Sequence, residues 1–142
     1  MPAVPITTSA ERIDLTQRVA VSTTVAASPS AAAETVIAQL TLTGDVAVLR
    51  SVILRGWAAF TVGTSGTAVR LRIRKTNVSG TVVGDSGALT GGVAAAGLLV
   101  ESVAGADASP ANTGQVYVLT LQVTGAAAAS TVSSVEFDAI AV

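Results

Sequence analysis

GDVAVLRSVILRGWAAFTVGTSGTAVRLRIRK, residues Gly44 to Lys75, reads as strand, turn, strand. In its second half Val69, Leu71 and Ile73 alternate with Arg70, Arg72 and Arg74, the two-residue period of a strand with one buried face. One face is aliphatic and the other triply cationic. The first half, Val46 to Val62, is about twice the usual strand length. Its apolar residues fall on both parities, with Val48, Val52, Leu54 and Phe60 on one and Leu49, Ile53 and Trp57 on the other. Such a strand is either bulged near Arg55-Gly56 or buried on both faces. Gly63-Thr64-Ser65-Gly66 supplies the glycines that a tight hairpin loop uses at positive φ. A hairpin is therefore expected here, with further strands built onto it.

Outward from this stretch the pattern stays β. Gln17 to Val25 alternates Val with Ser and Thr, and Val36 to Thr43 is followed by Gly44-Asp45, a two-residue connection of hairpin type. Ser28-Pro29-Ser30 with Ala31, Ala32 and Ala33 fits either a short helix or a plain loop. From Asn77 to Gly92 the chain is rich in Gly, Ser and Thr, as in loops joining short strands such as Val82-Val83. Val93 to Val103 is ambiguous, but Gly97 costs a helix about 1 kcal/mol relative to Ala, and the β context selects a strand.

Ala104 to Gly114 reads as a turn-rich loop. Gln115 to Thr124 then places Tyr117, Leu119, Leu121 and Val123 on one strand face, and Val132 to Val142 places Val135, Phe137, Ala139 and Ala141 on one face with Glu136, Asp138, Ile140 and Val142 on the other. Residues 1 to 16, with Pro2 and Pro5 and no sustained apolar period, read as an extended N-terminal arm before a single domain over 17–142. Seven or eight short strands without a βαβ rhythm predict an all-β, antiparallel sandwich or barrel.

Composition sets the function classes. Of 142 residues half are hydrophobic and only 12% charged, and the mean hydropathy is +0.65. A monomer of this texture exposes more apolar area than water tolerates in one patch, which predicts self-association. The longest uncharged run, Ala108 to Val135, is interrupted by Pro110, Asn112, Gly114, Gln115, Thr120, Gln122 and Gly125, so no membrane span is expected. A net charge of −1 argues against a nucleic-acid surface. No basic start and apolar core of an export signal is seen at the N-terminus.

The sequence contains no histidine and no cysteine. That removes the usual general base, the Ser-His and Cys-His pairs, common zinc ligands and disulfides, so neither catalysis nor a cofactor is expected. Glu136 and Asp138, about 7 Å apart on one strand face, have the spacing of a glycosidase pair. With so few aromatics, an acidic stripe that offsets Arg70, Arg72 and Arg74 is the preferred reading. Asp85 and Asp107 lie in Gly-rich loops and read as solvated turn aspartates rather than calcium ligands. Asn77-Val78-Ser79 matches a glycosylation sequon of a kind common by chance. Trp57, Phe60, Tyr117 and Phe137 are candidates for core or subunit-interface packing.

The long strand, the arginine stripe, GQVYVLTLQV (Gly114 to Val123) and SVEFDAIAV (Ser134 to Val142) together resemble the compact trimeric jelly rolls of the TNF/C1q type over about residues 46 to 142. The Ala/Val/Thr/Gly-rich texture after a Pro/Thr/Ser-rich arm is similar to small virion proteins of tailed bacteriophages, namely capsid decoration (cement) proteins and fibre knobs. The resemblance implies a homotrimer on the outside of a phage shell, made in the host cytoplasm. Its partner would be the major capsid protein and its role would be to stabilise the shell. The alternative is a fibre-knob or receptor-binding domain that recognises a cell-surface glycan. The stripe of arginines is expected to face Glu136 and Asp138.

Overall fold

A computed structural model describes residues 17–22, 33–42, 51–62, 66–93, 97–111, 114–125 and 130–142. The arm at 1–16, residues 28–32 of the helix-or-loop question and the start of the long strand at 46–50 lie outside the described residues. Among those described, nine strands run β1 (Gln17–Ser22), β2 (Thr35–Thr41), β3 (Val52–Thr61), β4 (Gly66–Lys75), β5 (Val82–Asp85), β6 (Leu89–Val93), β7 (Leu98–Asp107), β8 (Val116–Thr124) and β9 (Thr131–Ala141). The protein is all-β, and every strand pair is antiparallel.

The strand order is β1-β9-β3-β7-β5-β4-β8-β2, with β6 also on β4. Two four-stranded layers emerge from it, β1-β9-β3-β7 and β2-β8-β4-β5, interleaved along the chain as in a jelly roll. A single residue pair, Gly84 opposite Gly105, joins β5 to β7 and so links the layers. A Cβ at Gly105 would lie 2.2 Å from the Val83 carbonyl oxygen, and one at Gly84 would lie 2.8 Å from that of Ala104. Only glycine permits two backbones to meet so closely. At the other seam β1 and β2 approach one another, so the sandwich nearly closes into a barrel.

The expected hairpin does not form. β3 is a central strand, laddered over its whole length to β7 on one side and to β9 on the other, which leaves it no edge for β4. β4 pairs instead with β8 on one edge and with β5 and β6 on the other. Among the described residues β2 pairs with β8 and not with β3, while the expected turn at Gly44-Asp45 lies outside the described residues. β3 alternates cleanly over Val52–Thr61: Val52, Leu54, Ala58 and Phe60 are fully buried while Ile53 and Arg55 are exposed. Burial on both faces, expected from the mixed parities, is thus corrected for this part. The ladder irregularity sits at Ala59/Phe60 rather than at Arg55-Gly56. β7 runs on through Ala104 to Asp107, where a loop was expected, because β3 offers a paired partner for every one of these residues.

The core is the space between the layers. Val69, Leu71 and Ile73 of β4 and Tyr117, Leu119, Leu121 and Val123 of β8 pack against Val52, Leu54 and Phe60 of β3 and Val135, Phe137 and Ala139 of β9. Tyr117 carries the one phenol in this core. Its hydroxyl donates to Asp107 Oδ2 at 2.7 Å, and Lys75 Nζ meets the same oxygen at 2.8 Å. Asp107 Oδ1 accepts the Ser109 N–H. These bonds tie β8 of one layer to the end of β7 in the other, and they give a buried phenol the partner it requires.

Candidate functional site

The outer faces of the two layers differ in how much charge they carry. On the β4-β8 layer the three arginines point outward, since Val69, Leu71 and Ile73 point inward. Arg70 Nε donates to Asp85 Oδ1 at 2.8 Å, and its Nη2 donates to Asp85 Oδ2. Arg72 Nη1 donates to Glu34 Oε2 at 2.6 Å and to Gln122. Arg74 grips both Glu34 oxygens at 2.6 and 2.8 Å and also donates to the Gly80 carbonyl. The Thr120 hydroxyl donates to Glu34 from beneath. Burial pushes the Glu34 carboxyl up, but the Arg74 and Thr120 hydrogen bonds and the Arg72 and Arg74 charges outweigh it and hold the group at about 2. The Arg70 hydrogen bond likewise holds Asp85 at about 2.

The expected pairing of this stripe with Glu136 and Asp138 is therefore corrected. β4 and β9 lie in different layers, so their outward side chains point away from each other. The acids that answer the arginines are Glu34 and Asp85. Asp85 and Asp107 are ion-paired rather than merely solvated in turns. Among the described residues no three His, Cys, Asp or Glu side chains gather as a metal site. The sequon Asn77 caps its own turn, accepting the Ser79 N–H at 2.9 Å.

The outer face of β3, β7 and β9 is arranged in registered rows. Ile53 stands between Ala106 and Ile140, Arg55 between Ala104 and Asp138, Trp57 between Ser102 and Glu136, Ala59 between Val100 and Ser134, and Thr61 between Leu98 and Thr131. Its ionic centre is Arg55, which binds Asp138 through two hydrogen bonds of 3.1 and 2.6 Å. The Arg55 side chain is 56% exposed and that of Asp138 only 4%. The hydrogen bond to Asp138 raises the Arg55 pKa further above its ordinary value. Beside the pair lies an open depression of about 480 Å3, lined by Arg55, Trp57, Ser102, Ala104, Glu136, Asp138 and the backbone at Gly56 and Val103. Small side chains on β7 next to large ones on β3 create it. Toward the start of β7 stands an apolar rim of Leu98, 67% exposed, and Val100, 65% exposed.

Of the four aromatic interface candidates, Phe60, Tyr117 and Phe137 are fully buried in the chain's own core and are corrected to core residues. Trp57 is half-buried at the surface. Ile53, Leu98 and Val100 join it on the apolar face. Leu98 and Val100 escaped the sequence reading because Val93 to Val103 lacked a clear parity there.

No protein-family model and no curated protein matches the sequence. The solved structure of infectious bursal disease virus Gx strain is similar over 89% of this chain and 32% of that chain, with 14% sequence identity and a TM-score of 0.48. The chain thus spans about a third of the length of that viral chain.

Proposed function

We propose that this protein is a non-enzymatic structural component of a virus particle, a bacteriophage decoration protein that binds the outer capsid as a homotrimer and stabilises the shell. The observation that carries this reading is the contrast between the two sheet faces. One carries the ion pairs of Arg70, Arg72 and Arg74, with Val82 exposed beside them, while the other exposes Leu98 and Val100 most of all, beyond the rows that hold Trp57, Glu136 and the Arg55–Asp138 pair. An exposed apolar face of that kind marks a protein contact. Burial at about 25 cal/mol per Å2 of apolar area, repeated over many copies, would resist opening of a shell. The low net charge and the texture shared with small virion proteins favour the same reading. In this proposal the partners are the other two copies and the major capsid protein, with no nucleic acid, membrane or cofactor involved. The protein is made in the host cytoplasm and resides on the virion.

A receptor-binding knob is the second reading, favoured by the depression in which Trp57 stands beside Glu136 and Arg55. Stoichiometry in purified particles separates the two. Quantitative mass spectrometry should find hundreds of copies per particle. A handful would favour the knob, and absence from particles would defeat both. Sedimentation should give a trimer at micromolar concentration, and a monomer would overturn the self-association.

A further inference from the structure

We infer that the depression beside Trp57 is a binding site for a neutral hexose unit of a glycan. The inference rests on the second reading above, in which the protein meets a cell-surface glycan, and adds where the sugar sits, which class it belongs to and what holds it. Register gathers the parts. Trp57 stands between Ser102 and Glu136, and the next row on the same face holds Ala104, Arg55 and Asp138, about 7 Å along the strands. The small side chains of Ser102 and Ala104 leave room beside the half-buried indole. The space, about 480 Å3, falls within the roughly 300–1,000 Å3 of small-ligand sites.

The lining has the mixed character that a sugar ring requires, an apolar surface among polar groups of both kinds. A pyranose carries C–H groups on its faces and hydroxyls, each a donor and an acceptor, around its edge. Trp57 supplies the apolar surface. Arg55 supplies donors: of the five N–H groups of a guanidinium, those on Nε and Nη2 engage the buried Asp138, which fixes the plane of the group and directs the Nη1 pair away from that carboxylate. Glu136 supplies acceptors, and Ser102 supplies an exposed hydroxyl. Donors held in place before the ligand arrives lose less freedom on binding. Charge narrows the class. Arg55 and Asp138 cancel, and Glu136 leaves the lining formally negative, which opposes a sialic or uronic acid. The Arg55 side chain, 56% exposed, opposes a cationic ligand, and a purely apolar one would cover charged groups without replacing their water.

Trp57 is the only tryptophan, so its emission reports on this site alone. The full-length protein is titrated with the methyl glycosides of glucose, galactose and mannose and, for comparison, with methyl glucuronide. At least one neutral glycoside should shift the emission saturably, with half-saturation at about 1–10 mM for a ligand of roughly a dozen non-hydrogen atoms. The glucuronide should bind at least about tenfold more weakly. Ala104→Leu, which fills the depression from an exposed position, should weaken the neutral glycoside at least about tenfold. Glu136→Gln keeps the shape and should narrow the preference over glucuronide at least about threefold, a change that loss of folding does not produce. No saturable shift up to about 100 mM, a response that the folded Ala104→Leu protein retains in full, or glucuronide bound as tightly as the neutral glycosides would overturn the inference. Copy number judges the receptor reading separately. A handful of copies per particle with no sugar response would remove the site and leave that reading, while a sugar response in a protein present in hundreds of copies would keep the site and remove the reading.

Discussion

Glu34 is the residue on which the polar face turns. It receives Arg72, both ends of the Arg74 fork and the Thr120 hydroxyl, so its loss takes the shared carboxylate from two guanidinium groups and leaves Arg72 with Gln122 and Asp85 and Arg74 with the Gly80 carbonyl. Replacing Glu34 by Gln keeps the shape but removes the charge, and should lower unfolding free energy near neutral pH by about 1.5–3 kcal/mol, the value of hydrogen bonds to charged groups. Urea titration measures it. The folded carboxyl titrates at about 2 against an ordinary 4.5. Its contribution is therefore fully present above about pH 4.5 and is lost as pH falls toward about 2. The melting temperature of the Glu34→Gln protein should fall less steeply across that window than that of the parent, with the remaining slope coming from Asp85 and the other carboxylates. Equal slopes would show that Glu34 does not carry the acid sensitivity. Nothing in the sequence singled out this residue, because it lies 38 positions from Arg72 and has no spacing partner of its own. The arginine alternation, by contrast, announced both its strand and its outward face.

At the scale of elements, periodicity revealed strands but not their neighbours. β4, β8 and β9 were legible because their apolar residues alternate, and that alternation is imposed locally by the pleat. The pairing of β3 was not legible. A glycine-rich loop after an apolar run favours a hairpin in isolation, and what overrode it were two ten-residue ladders, to β7 and to β9, formed with strands dozens of residues away. The same limit hid the apolar face: Trp57 was visible as a candidate, but its row-mates Ser102 and Glu136 follow only from register. The join between the layers is likewise a product of register, and it yields a sharp expectation. Gly105→Ala places a methyl group against the Val83 carbonyl, where only backbone can yield. It should destabilise the fold by at least about 2 kcal/mol, in the upper range of single substitutions. A control at Ala106, exposed on the opposite parity, should tolerate serine within about 0.5 kcal/mol. A Gly105→Ala protein as stable as its parent would mean that β5 and β7 part without cost.

For the whole molecule, the division into a polar and an apolar outer face separates two free energies that salt moves in opposite directions. The ion pairs among Arg70, Arg72, Arg74, Glu34 and Asp85 are partly open to solvent, and at 1 M salt the screening length shrinks to about 3 Å. Their support of the isolated fold should weaken, most at the exposed Arg70–Asp85 pair. In the proposed self-association, contact through exposed apolar side chains such as Leu98 and Val100 would depend instead on removing apolar surface from water, which excluded salts such as sulfate strengthen. Moderate sodium sulfate should thus raise the sedimenting mass of a dilute sample toward the trimer. Sodium chloride should lower the melting temperature of an association-defective Val100→Glu protein. Measuring both on one preparation distinguishes the faces. If salt of either kind dissociates the oligomer, the copies meet through charged groups, and the arginine-bearing layer rather than the β3-β7-β9 face is where the protein assembles.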